Sequence, residues 1–167
     1  MKEKIKILFV DDDYDLYFIY NKMLDENLNI NFDFIHTATV EDMLEKIKNE
    51  KFDIVVLDQK LNNGNKGLDY LPDIKQNNIY AYVIVNSGYG SETLAIESIR
   101  KGADDYVMGN KEDNDEFLIT IEKAITIVNR LALMDGLVNN MIETNKKINE
   151  SSKEKIEAIR KKIKETK

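Results

Sequence analysis

Residues 6–15 read KILFVDDDYD, an apolar run, Ile7-Leu8-Phe9-Val10, that stops on three consecutive aspartates, Asp11, Asp12 and Asp13. The run has the composition of a buried strand. Side-by-side carboxylates repel, so this much negative charge at the end of a strand calls for something positive to be held there.

Working outward, short apolar runs rich in Ile, Val, Phe and Tyr recur at Phe32–Ile35, Asp53–Leu57, Ala81–Val85 and Asp105–Met108, each with strand character. Segments of helical period lie between them: DLYFIYNKMLDENL after the first run, TVEDMLEKIKNE after the second, GLDYLPDIKQNN after the third and SETLAIESIRKG after the fourth. Thr39 with Asp42 three residues on approaches a capping box, Ser91 is placed to cap the fourth helix, and Gly102 to end it as a C′ residue. Asp13 is placed as N-cap of the first helix. Pro72 falls in the early turns of the third. A last helix begins near Asp115–Phe117. Five β-then-α units predict a doubly wound α/β fold: a five-stranded parallel sheet, (βα)5, with helices on both faces.

Composition narrows the function classes. The chain has 167 residues and no cysteine, which excludes a disulfide scaffold and a thiolate metal site and fits the cytosol. Its one histidine, His36, excludes a cluster of histidine ligands and reads as a strand-end residue. No apolar run is long enough for a membrane span, and the N-terminus has no signal-peptide pattern. Residues 1–145 carry 15 Lys+Arg against 27 Asp+Glu, a net of −12, while residues 146–167 carry 9 against 4, a net of +5. A body this acidic repels a phosphate backbone, so DNA binding is not expected of it.

A sheet of this kind binds its ligands at the carboxyl ends of its strands. The first strand ends on Asp11-Asp12, the third (DIVVLD) on Asp58, the fourth (AYVIVNSG) on Ser87-Gly88, and the fifth (DDYVMGNK) near Gly109 to Lys111. Three converging carboxylates need a cation, and an all-oxygen site suits Mg²⁺ or Mn²⁺. A hydroxyl and an amine across the pocket suit a phosphoryl group.

Through ILFVDDD, DIVVLDQKL and VIVNSGYGSETLAIESIRKGADDYV, the sequence resembles the CheY-like receiver domains of two-component response regulators over roughly residues 4–132. The resemblance implies a flavodoxin-like fold and a receiver domain over 1–132; beyond it the family is no guide, and the continuing helical period makes 133–167 a helical tail. It implies Asp58 as phosphoacceptor, Ser87 as the hydroxyl that binds the phosphoryl group, and Tyr106 as the aromatic switch. It gives the metal to Asp11, Asp12, Asp58 and the main-chain carbonyl of Lys60, with Asp11 acting through water. Lys60 and Tyr89 take the two positions that flank the path of the hydrolytic water. Such a domain is a signalling switch rather than an enzyme, served by a histidine kinase or a phosphotransfer protein in the cytoplasm.

Two features depart from the family. Its phosphate-binding lysine directly follows the fifth strand, where this chain has Gly109; either Lys111 folds back into the pocket or the site lacks its lysine. The loop after Asp58, QKLNNGNKG, has no proline and relies on Gly64 and asparagines for its turn. Gly109 keeps open an alternative, a pseudo-receiver used for docking or dimerisation without phosphorylation. A phosphohydrolase of the haloacid-dehalogenase type is disfavoured, because Lys60 stands where its second aspartate is needed. In the tail, Leu131, Met134, Val138, Met141, Asn145, Ile148 and Ser152 follow in steps of three and four, the seam of a coiled coil, and Ile156, Ile159 and Ile163 continue it after a stutter. That seam predicts a homodimer through the C-terminal helix. The alternatives are a helix folded back on the receiver domain and one that frays beyond Ile148.

Overall fold

The computed structural model describes residues 2–88, 90–109 and 114–165. The elements alternate throughout: β1 (Ile5–Val10), α1 (Tyr14–Asn27), β2 (Phe32–Thr37), α2 (Val40–Asn49), β3 (Ile54–Asp58), α3 (Leu71–Asn77), β4 (Tyr82–Asn86), α4 (Glu92–Arg100), β5 (Asp105–Val107) and α5 (Asp115–Glu165). All strand pairs are parallel, in the order β2-β1-β3-β4-β5. The chain runs outward from β1 to β2 and then returns to the far side of β1 as β3. The carboxyl ends of β1 and β3 therefore flank the switch in strand order, where such sheets open a crevice.

Successive strand residues face opposite sides of a sheet, and this alternation divides the core in two. Ile7 and Phe9 of β1, Ile54 and Val56 of β3 and Ile84 of β4 pack with Tyr20 and Leu24 of α1 and Phe117, Ile121 and Ala124 of α5. Leu8 and Val10, Val55 and Leu57, and Val83 and Val85 pack with Met43 and Ile47 of α2 and Leu71 and Ile74 of α3. Burying one such side chain contributes about 1.5–3 kcal/mol. Tyr20 stacks on Phe117 with ring centroids 3.7 Å apart, which ties α1 to α5 above the sheet.

The local signals act as expected. The Asp13 carboxylate accepts from the N–H groups of Asp15 and Leu16, each at 3.1 Å, and so caps α1. Thr39 caps α2 and Ser91 caps α4 through their hydroxyls. Gly102, with φ of +104°, stands just after α4, a left-handed conformation that glycine adopts without strain. One boundary differs. The segment from Gly67 opens with a 3₁₀ turn, Gly67–Tyr70, and α3 proper starts at Leu71 with Pro72 in its first turn. Proline has no N–H to give to a preceding turn, so it is accommodated only at a fresh start.

The chain divides into two compact units, one running to Asn129 and one from Arg130 on, and α5 contributes to both. Within the second unit Leu131, Met134, Val138, Met141, Ile148, Ile156 and Ile159 are all exposed. No helix among the described residues is long and apolar enough to cross a membrane.

Candidate functional site

The loops after β1, β3, β4 and β5 enclose a cavity of about 380 Å³ lined by acidic, hydroxyl and amide groups. Asp11 is buried at the end of β1; its N–H donates to the Thr37 carbonyl at 3.0 Å. Its own carbonyl accepts from His36 Nε2 at 2.7 Å. The His36 ring lies nearly parallel to that of Tyr17, centroids 4.8 Å apart. The lone histidine therefore clamps the backbone that carries the acidic pair, and that contact, made between β1 and β2, has no local sequence signature.

Asp11, Asp12 and Asp58 converge: one carboxylate oxygen from each lies within 4.8 Å of the others. Asp11 also accepts from the N–H of Asp13 at 2.8 Å, and Asp58 from the N–H of Lys60 at 3.0 Å. Burial pushes the Asp58 carboxyl up to about 7, and the negative charge of Asp11 adds to the shift. Main-chain N–H groups of Lys60 and Gln59 oppose it without cancelling it, and Asp12 raises it further. An ionised Asp58 is thus held at a cost that a positive partner would offset. The donor set is all oxygen, as hard divalent cations prefer.

The loop beyond Asp58 is shaped around it. Gln59 N–H donates to the Asn86 carbonyl, Gly67 N–H donates to the Gln59 carbonyl, and Lys60 pairs with Lys66 in an isolated bridge. Gly64 takes the left-handed turn, φ +75°. Gly67 passes so close that a Cβ there would lie 2.0 Å from the Asp58 carbonyl oxygen. No side chain fits at that position, a constraint invisible in the sequence.

Across the cavity Ser87 is buried, its N–H held by the Val107 carbonyl and its own carbonyl by the N–H of Gly109. Tyr106 is half-buried, with its hydroxyl near Ser87 and against Gly90: a Cβ at Gly90 would meet that hydroxyl at 2.6 Å. The hydroxyl completes no hydrogen bond among the described residues. Asp11, Asp12, Asp58, Lys60 and Ser87 thus share one cavity, with Tyr106 behind Ser87. Tyr89 and Lys111 lie outside the described residues.

Gly109 lines the cavity too, close to the side chain of Asn86. A Cβ at 109 would lie 2.7 Å from Oδ1 of Asn86, a buried residue at the end of β4. A side chain at 109 fits only if the Asn86 carboxamide shifts. The sequence reading passed over Asn86, since its relation to Gly109 runs between β4 and β5.

Comparison with known proteins agrees with this architecture. The family model for the response regulator receiver domain matches residues 7–121. The chemotaxis protein CheY of Listeria monocytogenes is 31% identical over 123 residues, covering 72% of this chain and 98% of that protein. The chain spans only 29% and 27% of the length of two curated transcriptional regulatory proteins that it also matches. A CheY-like receiver domain protein from Methanospirillum hungatei superposes with a TM-score of 0.60 at 26% identity, covering 75% of this chain and 98% of that one. A Burkholderia pseudomallei response regulator, solved with a phosphorylated aspartic acid, calcium ion and citrate, superposes with a TM-score of 0.55 over 73% of this chain and 74% of that one; at 20% identity it bears on the fold alone.

Proposed function

The chain belongs to the response regulator receiver domain family, and from that premise we propose that it is a phosphoacceptor switch of two-component signalling, phosphorylated on Asp58. The observation that carries the proposal is the Asp11–Asp12–Asp58 cluster, its oxygens within 4.8 Å, facing Ser87 across one cavity.

In this reading an ionised Asp58 oxygen attacks the phosphorus of a donor phosphoryl group. The new bond joins that oxygen to phosphorus. The bond from phosphorus to the donor breaks, its electron pair leaves with the donor, and the donor takes a proton from solvent. Asp11, Asp12, Asp58 and the Lys60 carbonyl would hold a divalent cation, Mg²⁺ by its fit to hard oxygen ligands. That cation supplies neutralisation of charge between the nucleophile and the phosphoryl oxygens. The Lys60 N–H orients the Asp58 carboxylate. The Ser87 hydroxyl binds a phosphoryl oxygen, and Tyr106, packed behind it, carries the change toward α4, β5 and α5. Lys60 and Tyr89 hold, two residues after Asp58 and Ser87, the sequence positions that in the family flank the approach of the hydrolytic water.

Receiver domains are signalling modules, and the expected donor is a histidine kinase or phosphotransfer protein in the cytoplasm. The receiver domain spans 1–132, and the helical tail, 133–167, pairs with a second copy through its exposed seam. Gly109 is the observation that favours the other reading, a docking module without phosphorylation. Incubation with a small phosphodonor and Mg²⁺ separates the two. The intact protein should gain one phosphoryl group and Asp58→Asn none; equal labelling of the two proteins, or no labelling of the intact one, refutes the assignment.

A further inference from the structure

Asn86 closes β4 in direct register with Asp58 on β3. Side chains of parallel neighbours in register leave the sheet on the same face, so the carboxamide stands beside the Asp58 carboxylate, and both line the cavity. Asn86 is 1% exposed, yet its Oδ1 has no hydrogen-bond partner among the described residues. The Tyr20 hydroxyl, which lies against Asn86 from α1, completes none either. A buried polar atom left without a partner costs stability. One of these atoms, Asn86 Oδ1, stands at the wall of the acidic cavity, where a bound group could partner the carboxamide.

We infer that Asn86 is a further phosphoryl-binding donor of this pocket, beside Ser87, its carboxamide hydrogen-bonding an oxygen of the group carried by Asp58, with Tyr20 as its positioning residue. The inference rests on the phosphoacceptor reading above. The chemistry is simple. A carboxamide has a donor end and an acceptor end, and a half-turn exchanges them. With Oδ1 turned to Tyr20, the phenol donates to it, and the two Nδ2 hydrogens face the cavity. An anionic oxygen beside Asp58 accepts one of them, and both orphaned atoms gain partners. Gly109 is the steric condition for this arrangement, since any side chain there meets the carboxamide. Lysine at 109 would add positive charge; asparagine adds only a dipole. The cavity therefore stays rich in carboxylate, from Asp11, Asp12 and Asp58, and uptake of an anion depends steeply on the divalent cation.

The test measures labelling of the full chain by a small phosphodonor with Mg²⁺, alongside the side-chain amide signals of Asn86 on addition of beryllofluoride. Asn86→Ala should slow labelling by about 10- to 100-fold, the loss of one donor to developing charge, with its melting temperature retained. Asn86→Ala combined with Gly109→Lys should recover most of the rate, because truncation at 86 opens the room that a side chain at 109 requires. In the intact protein the Asn86 Nδ2 signals should shift with beryllofluoride. In Tyr20→Phe that shift should diminish at unchanged melting temperature. Equal labelling of intact protein and Asn86→Ala, or amide signals indifferent to beryllofluoride, overturns the inference while leaving Asp58 as phosphoacceptor. Loss of labelling in Lys111→Ala but not in Asn86→Ala overturns it as well. An intact protein that takes no label overturns the phosphoacceptor reading, and this inference with it.

Discussion

Replacing Asp58 by asparagine should stabilise the cation-free protein, and do so only above mildly acidic pH. The Asp58 carboxyl is pushed up from 3.8 to about 7, first by burial and then by Asp11. Each pKa unit is worth about 1.4 kcal/mol, so roughly three units set a ceiling near 4 kcal/mol. The carboxylate is partly exposed, and solvent screening brings the working figure to about 2 kcal/mol. The sign follows from linkage. The folded pKa lies above the unfolded one, so the folded state binds this proton more tightly. The resulting stabilisation is fully present below about pH 4, is lost as pH rises, and is gone above about pH 7. Asparagine keeps the shape and never ionises, so the variant escapes that loss. In EDTA at pH 8, Asp58→Asn should therefore melt about 4–8 °C above the intact protein, at the few degrees per kcal/mol usual for this size. At pH 4 the two curves should converge. Millimolar Mg²⁺ should narrow the gap at pH 8 by binding the folded intact protein more tightly than the variant. Thermal melts monitored by circular dichroism across this pH range suffice. A variant less stable than the intact protein at pH 8 in EDTA, or a gap independent of pH, refutes the electrostatic account.

Gly67→Ala should destabilise the receiver unit by more than about 3 kcal/mol, because the new Cβ would stand 2.0 Å from the Asp58 carbonyl oxygen and backbone must move; urea titration measures it, and a loss under 1 kcal/mol contradicts the close approach. If the tail seam pairs, light scattering should find a dimer for the full chain and a monomer for a chain ending at Asn129, and equal states for the two would remove the tail from the interface. Slow decay of the phosphorylated protein is expected from Lys60 and Tyr89, and Tyr89→Ala should hasten it about tenfold, or about 1.4 kcal/mol of barrier; decay at an unchanged rate after donor removal excludes shielding by Tyr89.

The layered fold was legible because its signals are local. Alternation along Ile5–Val10 and Ile54–Asp58 assigns each side chain to one of two core faces, whatever lies beyond. Asp13, Thr39 and Ser91 cap helices through bonds to N–H groups two or three residues away. The acidic stretch Asp11–Asp13 and the terminal Asp58 mark the same end of two strands, so their convergence followed once both strands were taken as parallel. What the sequence left open depends on neighbours far apart in the chain. Only the register of β3, β4 and β5 sets Asn86 between Asp58 and Gly109, and so puts a carboxamide against any side chain at 109. Only the pairing of β1 with β2 brings His36 to the Asp11 carbonyl. Only the return of the loop over β3 makes Gly67 indispensable. Capping and alternation need a few consecutive residues and are written in any short window. A filled or forbidden volume is a property of several strands at once, so it exists only when the sheet has closed.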